Sequence, residues 1–203
     1  VNNLLKNYNV MEMFHTIQGE GYYSGTSAFF IRLGGCDVGC HWCDVKDSWP
    51  VDAHPMLEID KIVSSAKASG AKVAVITGGE PTMHDLSQLT KHLNQEGIDT
   101  HIETSGTNEL TGQWNWVTYS PKKFKAPVSR FAKLASELKV VVYNKSDLKF
   151  AEEHAKMVGK NCLLYLQPEW DKKETAMPLI IDFIKANPRW RVSLQAHKYL
   201  QIP

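Results

Sequence analysis

Several things are scarce in this chain of 203 residues, and each shortage excludes something. Net charge is one: 23 Lys plus Arg against 22 Asp plus Glu leaves +1. No global field therefore draws the chain to nucleic acid or to an anionic membrane. Long hydrophobic runs are missing: none approaches the roughly 18–20 apolar residues of a membrane span. The opening VNNLLKNYNVMEMF is too polar for a secretory signal. Cysteine is limited to four residues, three of them crowded together, which is a poor basis for a disulfide framework. Free thiols suit a reducing cytosol, so a cytoplasmic location is expected. Internal repeats and low-complexity linkers are also missing. What remains is ordinary soluble composition, 43% hydrophobic and 22% charged, and a length suited to a single domain over residues 1–203. One local basic stretch, SPKKFKAPVSR from Ser120 to Arg130, reads as a solvated loop rather than a polynucleotide site.

Short β-branched runs alternate with helical patterns along the chain. SAFFIRLGG, KVAVITGGEP, DTHIETSGT, WNWVTYSPK, SELKVVV and NCLLYLQPE read as strands. EIDKIVSSAKAS, HDLSQLTKHLNQEG, SDLKFAEEHAKMVG and ETAMPLIIDFIKANP read as helices, the first stopped by Gly70, and WRVSLQAHKYL closes the series. Repeated strand–helix units predict a mainly parallel sheet with covering helices. The chain is short for a complete eight-fold barrel, which takes about 250 residues, so a partial (incomplete) β/α barrel is expected. GGCDVGC, TGGEP, ETSGT, YSPK and LQPE all follow predicted strands. Ligands of parallel sheets bind beyond the carboxyl ends of the strands, so this chemistry converges on one edge.

The sulfur chemistry is unusual. Cys36, Cys40 and Cys43 lie within eight residues, whereas Cys162 sits far downstream in apolar CLLYL and reads as a buried structural thiol. Four thiolates normally hold a [4Fe–4S] cluster, so three leave one iron with an open coordination position. Reduced iron beside a sulfonium could break a carbon–sulfur bond and generate a radical beyond the reach of any side chain. The rival reading is zinc, with His41 or a distant histidine as fourth ligand, although a second CxxC pair is lacking.

CxxxCxxC after a strand, with Trp42 just before the last cysteine and Gly78, Gly79, Glu80 and Pro81 after the next strand, resembles the signature of radical S-adenosylmethionine enzymes. Within that superfamily MFHTIQGEGYYSGTSAFFIRLGGC, WCD, TGGEP, ETSGT, SPK, LQPE and QAHKYLQIP together resemble the 7-carboxy-7-deazaguanine synthases over nearly the whole chain. The resemblance implies a radical ring contraction of 6-carboxy-5,6,7,8-tetrahydropterin with loss of ammonia. The cofactors it implies are a [4Fe–4S] cluster on Cys36, Cys40 and Cys43, S-adenosylmethionine cleaved to a 5′-deoxyadenosyl radical and later regenerated, and magnesium.

The same resemblance implies cofactor contacts at Trp42, Cys43, Asp44, Gly79, Glu80, Ser105, Ser120, Pro121, Lys122, Gln167, Pro168 and Glu169. Glu80 is expected to orient the methionine amine. Arg32 suits a bidentate grip on the substrate carboxylate. Gln18, with the backbone of Ile17 and Gly19, suits amide and ring-nitrogen groups, and Glu20 suits the N–H edge. Thr77 and His197 match substrate contacts, and Pro203 does so through its α-carboxylate. One position departs from the pattern: the family commonly carries Thr or Ser two residues after the third cysteine, as a magnesium ligand, and here Val45 offers no oxygen. Asp47, Ser48 or water would have to replace it, or the enzyme depends less on magnesium. The expected partners are the small pterin, a flavodoxin- or ferredoxin-like electron donor and a second copy of the chain, with neither nucleic acid nor membrane. The enzymatic rival is a radical-generating activase acting on a glycine of a partner protein, against which TIQGEG and AHKYLQIP both speak.

Overall fold

The structure, a computed structural model, describes residues 7–203; part of the polar opening, residues 1–6, lies outside the described residues. β-Branched and aromatic runs form β1 (Asn7–Ile17), β2 (Ser27–Leu33), β3 (Met56–Glu58), β4 (Val73–Gly78), β5 (Asp99–Thr104), β6 (Trp116–Tyr119), β7 (Glu137–Val142), β8 (Leu163–Pro168) and β9 (Trp190–Val192). The amphipathic segments form α1 (Ile59–Ser69), α2 (Ser87–Gln95), α3 (Ser146–Ala155), α4 (Lys173–Ala186) and a short α5 (Ala196–Leu200). Gly70 caps α1 in the left-handed conformation, as its position predicts.

All nine strands form one sheet in the order β3-β1-β2-β4-β5-β6-β7-β8-β9. From β2 to β9 every pairing is parallel, while β1 runs antiparallel to both β2 and β3. The sheet ends at β3 and β9 without closing, so the partial barrel expected from the strand–helix alternation is what forms.

Period-two alternation sorts each strand between two environments. Ala74 and Ile76 of β4, Ile102 of β5, and Leu138, Val140 and Val142 of β7 join the main core. Ile62, Leu89, Leu93, Ala151 and Ile180 of the helices belong to the same core. The alternate positions face the inside of the curved sheet, where Ala28, Val73 and Val75 make a small apolar floor. Higher on that face the residues turn polar: Thr77, Glu103, Lys139 and Gln167.

One strand escapes the sequence reading. SAFFIRLGG reads as the first strand, yet β1 precedes it and pairs with it along most of its length, with Phe14 opposite Phe30 and their rings stacked 5.3 Å apart. A register shift between Val10 and Glu12 breaks the alternation by which a strand is recognised. The cysteine loop therefore follows the second strand of the chain, which is the first of the parallel series.

The core on the helix side sets the stability. Ile102→Ala, at a fully buried position of a central strand, is expected to cost about 2–5 kcal/mol by lost burial and cavity formation. Urea unfolding of the two proteins measures it, and a loss under about 1 kcal/mol would mean that the site collapses onto itself.

Candidate active site

At the carboxyl edge of the parallel strands lies a cavity of about 580 Å³. The residues expected to hold the cluster, S-adenosylmethionine or the pterin all border it except Pro121, which is buried between Ser120 and Lys122 and fixes their backbone rather than lining the space.

The cysteine loop is closed at its base: Gly35 N–H donates to Ser48 O (2.7 Å) and Cys36 N–H to Trp49 O (3.1 Å). Inside it, Cys43 N–H turns back onto Cys40 O (3.0 Å). Asp37 ties the loop to the rest of the edge, accepting from Lys125 Nζ, Asn108 Nδ2 (3.1 Å) and Thr107 Oγ1 (3.3 Å). Cys36, Cys40 and Cys43 are free thiols on the cavity wall. Burial pushes the Cys40 thiol up to about 11 and raises Cys36 as well, so a bound metal must displace their protons. Among the described residues no three His, Cys, Asp or Glu side chains converge on a single ion. Three thiols spread around one loop suit instead the corners of an iron–sulfur cluster, where each iron takes one thiolate.

The glycine loop rests on that base. Gly79 N–H donates to Leu33 O (3.1 Å) and Glu80 N–H to Gly35 O (2.7 Å). A Cβ on Gly79 would stand 2.2 Å from Gly35 O and 2.7 Å from Cys36 Cβ, so only glycine fits. Glu80, expected to orient an amine, is otherwise engaged. Its Oε1 accepts from Thr82 N–H (3.0 Å), Thr82 Oγ1 (2.6 Å) and Thr104 Oγ1, and its Oε2 from Ser105 N–H (2.8 Å) and Ser105 Oγ. Five donors fill a carboxylate's roughly four lone-pair sites. Glu80 is thus a buried clasp between the ends of β4 and β5, and Ser105 is its partner.

Two further strand ends complete this side. Lys122 Nζ donates to Ser120 O (2.7 Å) and Oγ, and sits 5.7 Å from the Trp42 ring centroid. Gln167 Oε1 accepts from Ser193 Oγ (2.8 Å). After Pro168, the Glu169 carboxylate accepts from the N–H groups of Asp171 (3.3 Å) and Lys172 (3.0 Å), capping the turn that follows.

The same cavity is bordered by Ile17 to Glu20, Arg32, Thr77 and the segment from Gln195 to Pro203. Arg32 is oriented by Glu12, whose Oε1 accepts from Nε–H at 2.6 Å. Gln18 Oε1 accepts from Glu20 N–H (3.1 Å). The last segment docks on Gly19: Ala196 N–H donates to Gly19 O (2.9 Å), and a Cβ on Gly19 would meet His197 Nδ1 at 2.3 Å. Burial lowers the His197 pKa. Lys198 Nζ reaches Asp44 Oδ2 (2.8 Å), latching α5 to the cysteine loop, and Pro203 O accepts from Thr16 Oγ1 (3.2 Å).

This geometry has counterparts among known proteins. The radical SAM superfamily model matches residues 30–113, which carry both the cysteine and the glycine loops. The 7-carboxy-7-deazaguanine synthase of Flavobacterium psychrophilum is 56% identical over 96% of this chain and 92% of its own. That of Synechocystis sp. is 46% identical over 98% and 95%. The crystal structure of QueE from Escherichia coli superposes with a TM-score of 0.85 at 36% identity, covering 94% of this chain and 95% of that one. The chain belongs to the 7-carboxy-7-deazaguanine synthase family. It is a radical SAM enzyme, and the family implies a [4Fe–4S] cluster and S-adenosylmethionine.

For a member of that synthase family the sequence reading missed one cluster. Lys139 of β7, nearly fully buried, donates to Glu20 Oε2 and to Glu103 Oε2 (2.7 Å), and all three border the cavity. Glu137 lies behind them, accepting from Tyr22 N–H (2.9 Å) and Thr118 Oγ1 (3.0 Å). Burial alone would raise Glu20 and lower Lys139, but their mutual attraction wins: Glu20 is held low and Lys139 high. Glu103 goes the other way. Burial, with Glu20 and Glu137 close by, pushes it up to about 7 against the pull of Lys139. A lysine in the middle of apolar SELKVVV was the signal that could have found the cluster, since such a charge persists inside a sheet only with partners.

Magnesium fits less well than the family's usual residues would allow. The Val45 side chain borders the cavity without an oxygen. Ser48 is buried, with its hydroxyl donated to Val45 O (2.6 Å); the Asp47 carbonyl is bonded by His54 (2.8 Å); Asp44 is paired with Lys198. Neither Asp47 nor Ser48 borders the cavity, so neither replaces the missing hydroxyl there.

Two glycine substitutions separate the halves of the site. Gly79→Ala is expected to dislodge the cysteine loop and reduce iron retained after anaerobic reconstitution severalfold. Gly19→Ala is expected to leave iron content within about 20% of wild type while displacing His197, seen as faster proteolysis of the C-terminal segment. Iron lost equally in both would contradict this division.

Proposed function

We propose that this chain is a 7-carboxy-7-deazaguanine synthase, an ammonia-releasing carbon–nitrogen lyase of deazapurine and queuosine biosynthesis. Its substrate would be 6-carboxy-5,6,7,8-tetrahydropterin. One observation carries the reading: a single cavity of about 580 Å³ is bordered both by the three thiols and by Gln18, Glu20, Arg32 and Thr77. Cofactor and pterin would then meet within one cleft of a single domain.

When bound, the cluster and S-adenosylmethionine supply a radical able to take a hydrogen atom from the pterin. Cys36, Cys40 and Cys43 hold the cluster. Gly79, Ser120, Lys122 and the Gln167–Glu169 segment border the space for S-adenosylmethionine, with Trp42 and Asp44 beside the cluster. Glu80 and Ser105 act there by clamping two strand ends, which keeps the glycine loop's backbone groups in place. On the substrate side Arg32, held by Glu12, presents its planar guanidinium to the pterin carboxylate. Gln18, the backbone of Ile17 and Gly19, and Glu20 read the guanine-like edge. Thr77 and His197 border the same space, as does Pro203, whose backbone oxygen accepts from Thr16 Oγ1. Orientation and exclusion of water are what these residues add to the radical chemistry, since a misplaced radical would be quenched by the protein.

No step is assigned to magnesium. An external flavodoxin- or ferredoxin-like donor would supply the electron. A homodimer is supported by exposed Val192 on the edge strand β9 and exposed Leu194 just beyond it. Residence in a reducing cytoplasm is supported by the free thiols, and no helix among the described residues is long and apolar enough to cross a membrane.

The deciding experiment reconstitutes the chain anaerobically with iron and sulfide, then supplies reductant, S-adenosylmethionine and the pterin. Mass spectrometry is expected to detect 7-carboxy-7-deazaguanine, and none when S-adenosylmethionine is omitted. Accumulation of 5′-deoxyadenosine without that product would reject the pterin and leave the radical chemistry standing. In the same assay, magnesium added to chelator-treated enzyme is expected to raise turnover by less than about threefold. A large saturable stimulation would show that Val45 does not preclude a direct site.

A further inference from the structure

Elimination of ammonia needs a proton moved as well as a radical made. A ring carbon loses a proton, its C–H electron pair becomes a ring double bond, and the C–N pair departs with the nitrogen. The nitrogen gains a proton, so ammonia leaves and no oxidant or reductant is consumed. A group bordering the substrate space must carry that proton, and the chain offers a cluster built for the task.

Three carboxylates, Glu20, Glu103 and Glu137, surround one buried ammonium, Lys139. One close ammonium offsets three buried carboxylates only in part, so at least one of them titrates within reach of neutrality. Glu20 is not that group, because Lys139 keeps its carboxylate ionised. Glu137 faces away from the main cavity and is bonded by Tyr22 N–H and Thr118 Oγ1. Glu103 combines access with weak restraint. It borders the main cavity; its Oε2 accepts from Lys139 (2.7 Å), while its Oε1 has only a long contact from Gln18 Nε2 (3.4 Å).

Building on the synthase reading, we propose that Glu103 is the proton carrier for ammonia loss: its carboxylate takes the ring-carbon proton, and the acid so formed passes it to the departing nitrogen. Lys139 is the positioning residue that holds Glu103 against the cavity. The titration is set by everything facing Glu103: Lys139 and Glu137 on β7, Gln18, Glu20 and Tyr23 from the segment after β1, His101 on β5, and Lys122 after β6. A carboxyl titrating near 7 has both forms available at neutral pH, which an acid–base group needs. Behind it a small second cavity of about 10 Å³, shared with Glu137, His101 and Tyr23, has room for roughly one water to reset the proton.

The test uses iron-loaded holoenzyme and pterin deuterated at the carbon that yields its hydrogen. Two quantities are read together: deuterium transferred into the 5′-deoxyadenosyl group, and 7-carboxy-7-deazaguanine formed. In Glu103→Gln, deuterium transfer is expected to stay within about threefold of wild type while product falls by about a hundredfold or more. Glu103→Asp, which keeps the titrating group, is expected to recover a substantial part of the product. Product within about fivefold of wild type in Glu103→Gln would overturn the proposal. So would an equal fall in both quantities, which would make Glu103 a binding or structural residue. Should Glu103→Gln not retain iron, wild type decides: the ratio of product to deuterium transfer is expected to rise with pH and level off above about 7, approaching tenfold per unit on the acidic side. A ratio flat across that range would overturn the proposal. Wild type that makes 5′-deoxyadenosine but no product would instead fault the substrate, a result visible before any variant is made.

Discussion

Two backbone hydrogen bonds, Gly79 to Leu33 and Glu80 to Gly35, join the cysteine loop to the glycine loop, and the site is organised around that junction. It exists because β2 and β4 are parallel neighbours with Leu33 opposite Gly78, so both strands end at the same height. An antiparallel pair would send the two loops to opposite edges. From the junction Glu80 reaches sideways to Thr104 and Ser105, carrying the order on to β5. A carboxylate with five donors in a buried setting has no competing conformation of similar energy, which is how a loop edge becomes as rigid as the sheet beneath it.

Charge inside the curved sheet plays the complementary part. Lys139 links Glu20, from the segment after β1, to Glu103 on β5, and so ties distant parts of the chain together across the cavity. Removing one partner from such a group typically costs 3–5 kcal/mol, on the order of magnitude of a domain's whole stability. Fold and chemistry are therefore coupled here. The polar interior that an apolar core would replace at little cost is also the wall facing the substrate. The last segment closes that wall by packing His197 against Gly19 and pairing Lys198 with Asp44, so residues from both ends of the chain share one face of the cavity.

The basic stretch from Ser120 to Arg130 illustrates how pairing changes a reading. In the sequence it is a run of cations; in the fold Lys123 meets Asp147, Lys125 meets Asp37, and Arg130 meets Glu109. Lys122 points into the cavity edge beside Trp42. What looked like one surface feature is a set of separate ties, one of which steadies the cysteine loop.

Much of this molecule was legible before folding. Period-two and helical patterns are local, so β2, β4 to β8 and α1 to α4 could be read directly, and strand-end placement of the motifs followed from parallel topology. The three thiols and the glycine loop were legible because iron ligation and close backbone approach each demand particular residue types at fixed spacing. β1 was not, because its bulge breaks the alternation. The clasp made by Glu80, the orienting of Arg32 by Glu12, and the Glu20–Glu103–Lys139 group were decided only by tertiary structure. Their members are 20 to 119 residues apart in sequence. Sequence by itself specified which chemistry this chain can hold, since thiols, glycines and carboxylates carry that information wherever they sit. Which carboxylate clamps, which stays ionised and which titrates near neutrality depended on burial and on neighbours that only the folded sheet brings together.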